Sequence, residues 1–249
     1  MDILITNDDG WGAKGIVTLV KEMVVLGNVT VIAPESARSG QSNAITVNMP
    51  IRMHRLPEDS RFPEAAIYTC TGTPSDCIKL ALNTVFRERK PDLVVSGINH
   101  GSNAAINVIY SGTMGACFVA AENGIPAIGF SLCDHNPDAD FSFLKPYILP
   151  LTRQLLQQKA PYGVCYNINA PIGPLQGTRF TRQCRGNWVR EMREYTDPNG
   201  GTFYLLTGEF SNHEPMAQDT DEWALGHGYV SITPDSIDMT VHSMVELGN

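Results

Sequence analysis

Apolar positions along the chain fall into two alternating rhythms. Ile3-Leu4-Ile5-Thr6 is a short apolar run, β-branched in part, and reads as a strand. Beyond a glycine-rich turn, Ile16, Leu19, Val20, Met23 and Val24 recur at the spacing of one face of an amphipathic helix. Gly27 stands where a C-cap belongs. Val29-Thr30-Val31-Ile32-Ala33 then reads as a second strand, stopped by Pro34. Strand, helix and strand in so short a span form a βαβ unit, which implies parallel strands.

The alternation continues. Ala66 to Cys70 predicts a strand, and Thr73-Pro74-Ser75-Asp76 supplies the cap and early proline of a helix running past Val85. Asp92 to Gly97 is nearly continuous in apolar character, as central parallel strands tend to be. A helix over Thr113 to Glu122 leads to a strand over Pro126 to Ser131. Leu144 to Gln158 predicts a helix, against which Pro146 and Pro150 count. Val164 to Ile168 returns as a strand. This order predicts a Rossmann-like, doubly wound α/β fold with a mostly parallel sheet over residues 1–171.

After Pro171 the texture changes. Arg190 to Tyr195 and Thr202 to Leu206 flank Asp197-Pro198-Asn199-Gly200-Gly201, a hairpin signal. An acidic stretch over Asp219 to Trp223 precedes one more strand, Tyr229 to Pro234. Residues 172–249 are expected to extend the single domain 1–249 as a sheet edge with subunit contacts, in preference to a catalytic role.

Composition narrows the function. A formal charge of −8 argues against a nucleic-acid polymer as partner, because such binding needs phosphate-neutralising cations. It leaves room for a small anion held through a cation. No window has the length and apolarity of a membrane span, and the N-terminus lacks the basic and apolar regions of a secretory signal. Cys70, Cys77, Cys117, Cys133, Cys165 and Cys184 form no C-x-x-C pair. Most read as small buried hydrophobes, which fits a reducing cytoplasm as the expected location.

The first turn carries the chemistry. Asn7-Asp8-Asp9-Gly10 sits at the carboxyl end of the first strand, where open α/β sheets bind ligands. Gly10, Gly12 and Gly15 also fit the G-x-G-x-x-G dinucleotide fingerprint, with Glu35 near the ribose position. Two carboxylates in that approach would repel a pyrophosphate by a few kcal/mol at intermediate dielectric, roughly 4 Å away. A divalent cation between them removes the conflict, and hard dications take oxygen ligands. The pair could instead cap the following helix through an Asx-turn.

Other strand ends agree with a cation and phosphate. Pro34 to Asn43 is a small, hydroxyl-rich loop whose only cation is Arg38. Ser96 to Asn103 follows the central strand, and Tyr110-Ser111-Gly112-Thr113 opens a helix. Ser111 and Thr113 there can donate to phosphate through hydroxyl and backbone N–H groups. No G-x-S-x-G elbow is present, and the six histidines lack zinc-binding spacing. His100 alone lies in a candidate loop, and a solvent-facing or supporting place is favoured for it over a catalytic one.

Asn7-Asp8-Asp9-Gly10, Arg38 to Asn43, Gly72 to Cys77, Ser96 to Gly101 and Tyr110 to Thr113, taken in this order, resemble the SurE family of metal-dependent 5′/3′-nucleotidases. Trp223-Ala224-Leu225 and Gly228 to Pro234 extend the resemblance. It implies hydrolysis of nucleoside 5′- and 3′-monophosphates, in some members also of short polyphosphate. It implies one divalent metal ion, Mg²⁺ or Mn²⁺, and a homodimer or homotetramer built through the C-terminal extension. By the same resemblance the metal ligands fall on Asp8, Asp9, Ser39 and Asn99, and Asp8 or Asp9 would act in catalysis. Gly40, Asn43, Asn103, Ser111, Gly112 and Thr113 match positions near the phosphate. Departures are Val119-Ala120 where a Glu-Gly pair is usual, and Ala104-Ala105 and Asn107 in place of the more frequent Gly and Asp. Two rival functions, a nucleotide sensor without turnover and an NAD-type oxidoreductase, predict no phosphate release.

Overall fold

The computed structural model describes residues 1–62 and 64–242. The end of the expected extension, residues 243–249, lies outside the described residues. In chain order the first half holds β1 (Asp2–Thr6), α1 (Lys14–Met23), β2 (Asn28–Pro34), β3 (Met53–Arg55), β4 (Ala65–Cys70), α2 (Pro74–Asn83) and β5 (Leu93–His100). A 3₁₀ turn (Ala105–Tyr110) leads into α3 (Gly112–Glu122), β6 (Ala127–Leu132), α4 (Lys145–Gln158) and β7 (Val164–Ala170). The extension holds β8 (Thr178–Phe180), β9 (Gly186–Val189), β10 (Met192–Thr196), β11 (Thr202–Leu206), β12 (Glu209–Asn212), α5 (Asp221–Gly226) and β13 (Val230–Ser236).

Nine strands form one sheet in the order β3-β4-β2-β1-β5-β6-β7-β13-β8. Strands β4, β2, β1, β5, β6 and β7 run parallel. β3 and β13 are antiparallel to their inner neighbours β4 and β7. The order turns around at β1, which pairs with β2 on one side and β5 on the other. That reversal opens a crevice at the carboxyl ends of β1 and β5, the usual ligand position in such sheets.

Apolar side chains pack on both faces of the sheet. Ile3 and Ile5 of β1 face α1 and α4 through Leu19, Val20, Ile148 and Leu151. Leu4 of the same strand faces α2 and α3 through Ile78, Met114 and Cys117. This alternation along one strand explains its unbroken apolar run. Helix α3 is buried nearly all round, and Val119 and Ala120 are inside it, so the missing Glu-Gly pair is replaced by apolar packing.

Two local expectations change. Helix α1 ends at Met23 with Val24 as its cap, so Gly27 is not a C-cap. A side chain at Gly27 would collide with the Met1 backbone, whose carbonyl accepts from Asn28 N–H at 2.9 Å. Close approach, not helix termination, calls for glycine there. Pro146 occupies the first turn of α4, where a missing N–H is harmless, and Pro150 lies inside the helix on an exposed face.

Candidate metal and phosphate site

Asp8 and Asp9 follow β1 directly, and the chain turns at Gly10, whose φ is +94°. That left-handed turn is open to glycine at little strain. It is braced by Asn7, whose Nδ2 donates to the Gly10 carbonyl at 2.9 Å. Asp8 is anchored on one side and Asp9 on the other. Thr113 Oγ1 donates to Asp8 Oδ1 at 2.6 Å. His100 N–H donates to Asp9 Oδ2 at 3.1 Å. Each carboxylate therefore keeps one oxygen, Asp8 Oδ2 and Asp9 Oδ1, outside these bonds.

The pair is electrostatically uncompensated. Burial, with the Asp9 charge added, pushes the Asp8 carboxyl up to about 6, against the bond from Thr113. Burial also raises Asp9, opposed by the His100 N–H and by the nearby His100 and His135 rings. Among the described residues neither carboxylate has a Lys or Arg in ion-pair contact. Buried acids without a cation of their own are the donor set that a hard divalent ion completes.

Asn99 closes the crevice from β5. The pairing of β5 with β6 shifts register between Ser96 and Asn99, which re-aims the strand end. Asn99 Nδ2 donates to the Gly101 carbonyl at 2.8 Å. That bond fixes the amide so that Oδ1 stays available as a neutral oxygen ligand. Ser39 is exposed at the start of the next loop. Its neighbour Arg38 donates its backbone N–H to the Asp8 carbonyl at 2.6 Å, which ties the loop to the acids. The Arg38 side chain turns away, with Nη2 on the Thr71 carbonyl at 2.8 Å.

The loop over residues 39–46 is held by the start of α2. Thr73 and Asp76 form a reciprocal capping box. Asp76 also accepts from Thr46 N–H at 3.0 Å and Thr46 Oγ1 at 2.6 Å. Burial works against that charge, but the bonds from Thr46 and Thr73 hold its carboxyl below the ordinary value. Ser75 Oγ donates to Asn43 Oδ1 at 2.7 Å, so Asn43 offers only its Nδ2 outward. Gly40 has φ +71° and open space around it.

Helix α3 starts at the same crevice. Ser111 Oγ caps it by accepting from Met114 N–H at 3.0 Å. The N–H groups of Gly112 and Thr113 precede the first intrahelical donor, Gly115 N–H, and point out of the helix end. Gly112 sits against Asp8: a Cβ there would come within 2.9 Å of Asp8 Cβ and 3.2 Å of Oδ2. A dipolar helix terminus thus abuts the carboxylate pair, which suits an anion shared with a cation.

Asn103 takes a different part from that expected. It is 5% exposed, and its Nδ2 donates inward to Ser131 Oγ at 2.9 Å. Its N–H goes to Asn169 Oδ1 at 2.8 Å and its carbonyl accepts from Asn167 Nδ2 at 2.9 Å. Asn169 Nδ2 in turn donates to Asn167 Oδ1 at 2.8 Å. The Asn103 backbone is tied into this amide network and its Nδ2 is engaged by Ser131, so Asn103 shapes the loop from within. Asn167 and Asn169 lie on β7, and nothing in the local sequence marks their bonds to this loop. His100 is half-buried, edge-on to Phe141, with Nδ1 2.9 Å from the Asn136 carbonyl. Its backbone, not its ring, touches the carboxylates.

A family profile described as Survival protein SurE matches residues 3–190. The chain belongs to the SurE family. Curated relatives of this SurE chain bear the name 5′-nucleotidase SurE. The one from Phocaeicola vulgatus is 48% identical over 249 residues, covering 99% of this chain and 95% of its own. The one from Cytophaga hutchinsonii is 46% identical, covering 98% and 93%. Among solved structures, the SurE protein from Aquifex aeolicus superposes with a TM-score of 0.84 at 32% identity, covering 99% of this chain and 98% of its own. A side chain at Gly15 would strike the Ile98 carbonyl of β5, so close approach calls for glycine there.

Proposed function

We propose that this SurE protein is a one-metal phosphomonoesterase that hydrolyses nucleoside 5′-monophosphates to nucleoside and phosphate. Relatives named 5′-nucleotidase SurE, 48% and 46% identical over nearly the whole chain, support that reaction class. The observation that carries the site assignment is the Asp8–Asp9 pair, Asp8 buried and Asp9 half-buried, with no Lys or Arg partner among the described residues and with Asp8 against the start of α3.

Asp8 Oδ2, Asp9 Oδ1, Asn99 Oδ1 and Ser39 Oγ would hold one divalent cation, Mg²⁺ or Mn²⁺. When bound, that ion supplies Lewis-acid polarisation of phosphoryl oxygens and acidifies water. The chain's own part is orientation. Thr113 and the His100 N–H fix the two carboxylates, and the Gly101 carbonyl fixes the Asn99 amide. The Gly112 and Thr113 N–H groups, the Ser111 hydroxyl, Gly40 N–H and Asn43 Nδ2 would receive the phosphate oxygens. Donors placed in advance toward developing charge lower the barrier without reorganising. Hydrolysis of 3′-monophosphates and short polyphosphate extends the same chemistry to other phosphate esters and anhydrides.

The extension supports a second copy of the chain as partner. Every residue of β10 and β11 is exposed, including Met192, Tyr204, Leu205 and Leu206. A lone apolar hairpin is marginal in water, and burial against another subunit would stabilise it. Among the described residues no helix is long and apolar enough to cross a membrane.

Turnover assays test the function. Phosphate release from 5′-AMP with Mn²⁺, and its fall by at least about 100-fold in Asp9→Asn, is the expected result. Nucleotide binding without phosphate release under any metal would refute it.

A further inference from the structure

The segment between Asn99 and Ser111 links the metal ligands to the phosphate donors, yet residues far along the chain set its shape. Ala105 has φ +50°, a left-handed conformation that is unfavourable for an alanine. Its N–H donates to Asp221 Oδ2 at 2.7 Å. Asp221 is 1% exposed, and its other oxygen accepts from Cys184 N–H at 2.9 Å and Glu222 N–H at 2.8 Å. Two residues further, Asn107 Oδ1 accepts from Trp188 Nε1 at 2.7 Å. The Trp188 ring is set edge-on against Phe210 of the paired strand β12. Asp221, Cys184 and Trp188 all belong to the extension, beyond Pro171.

We propose that Asp221 and Trp188 are positioning residues, through which the C-terminal extension holds residues 102–111 so that Ser111, Gly112 and Thr113 meet the substrate phosphate. The inference rests on the placement of the phosphate at the start of α3. Three observations converge on it. The left-handed Ala105 needs an external partner to persist, and Asp221 supplies it. The bonds to residues 105 and 107 hold the first half of the 3₁₀ segment, Ala105–Tyr110, that runs directly into the phosphate donors. Neither Asp221 nor Trp188 touches Asp8, Asp9, Ser39 or Asn99, so their loss should act on phosphate binding and leave cation affinity in place.

The test uses the full-length, Mn²⁺-loaded protein and compares Trp188→Phe, Asp221→Asn and Trp223→Phe. The last is the same kind of truncation in the same extension: Trp223 stacks on His227 and Arg179, and among the described residues it has no hydrogen bond to the loop. Trp188→Phe removes one N–H donor and keeps an aromatic ring. It should raise KM for 5′-AMP and the Ki of inorganic phosphate together by about 5- to 10-fold. The Mn²⁺ affinity and kcat should stay within about 3-fold of wild type. Asp221→Asn should shift both constants further in the same direction. Should Asp221→Asn fail to fold, Trp188→Phe decides alone. Wild-type KM and Ki in Trp188→Phe, or an equal rise in Trp223→Phe, would overturn the proposal. A wild-type Ki in Trp188→Phe beside a raised Ki in Gly112→Ala overturns this inference only. A wild-type Ki in both overturns the placement of the phosphate as well.

Discussion

At the scale of single residues, the site is a set of bonds that leave particular oxygens free. Thr113 holds Asp8 by one oxygen, at 2.6 Å. Thr113→Val keeps the shape and removes the bond, leaving a buried carboxylate oxygen unsatisfied. Such supporting bonds typically contribute 10- to 100-fold in metal affinity, so Mn²⁺ titration should show a loss of about that size. Unchanged Mn²⁺ binding would separate Thr113 from the ion. Gly112 is limited by contact. Because its added Cβ would press on Asp8 at 2.9 Å, Gly112→Ala should lower thermal stability by ~1–3 kcal/mol and weaken both cation and phosphate binding. A variant of normal stability and affinity would show that the helix and carboxylate can part freely. These residues were readable in the sequence because they lie in short runs: two acids after a strand, and Ser-Gly-Thr before a helix. Asp221, Trp188, Asn167 and Asn169 were not. Each acts on a loop residue more than 60 positions away, and no local pattern records such a bond.

At the scale of elements, long apolar strands were legible and short edge strands were not. β1, β2, β5, β6 and β7 are largely buried and β4 half-buried, and all six show in the sequence as short, mostly apolar runs. β3, β8, β9 and β12 are three or four residues long, mostly exposed or half-exposed, and carry no periodicity to read. β13 shows what the extension adds to the sheet. It pairs antiparallel with β7 and brings Asp235 beside Asn167, with Cys165 opposite it in register. Burial pushes the Asp235 carboxyl up to about 6, helped by Asp221 and opposed by a bond from Asn167. Asp235 Oδ2 has no partner, and the neighbouring Cys117 and Cys165 thiols are themselves pushed up by burial, hence neutral. The folded value lies above the unfolded one. The stabilisation is therefore complete below about pH 4 and is lost as pH rises through about 6. Asp235→Asn should be more stable than wild type at pH 8 by ~1–3 kcal/mol in urea unfolding, and the gap should close by pH 4. Equal stability at pH 8 would contradict the cost assigned to this carboxylate.

At the scale of the whole molecule, the sheet reversal at β1, the acidic crevice and the exposed hairpin divide the labour. The core brings β1, β5 and α3 together at one crevice, and the extension reaches back to that crevice while offering β10 and β11 outward. The hairpin predicts self-association. Light scattering should report a dimer or tetramer, and Tyr204→Asp combined with Leu206→Asp should shift it toward monomer. A monomeric wild type would remove the role given to the hairpin. The overall negative charge fits the proposed division, in which the phosphate would be approached through a cation and a helix end. The central claim is that a divalent ion held by Asp8 and Asp9 is required for hydrolysis. The most direct measurement is phosphate release from 5′-AMP after EDTA treatment and dialysis, before and after adding back Mn²⁺. Activity should vanish in the stripped protein and return with Mn²⁺ in wild type but not in Asp9→Asn; full activity in the presence of EDTA would contradict the account.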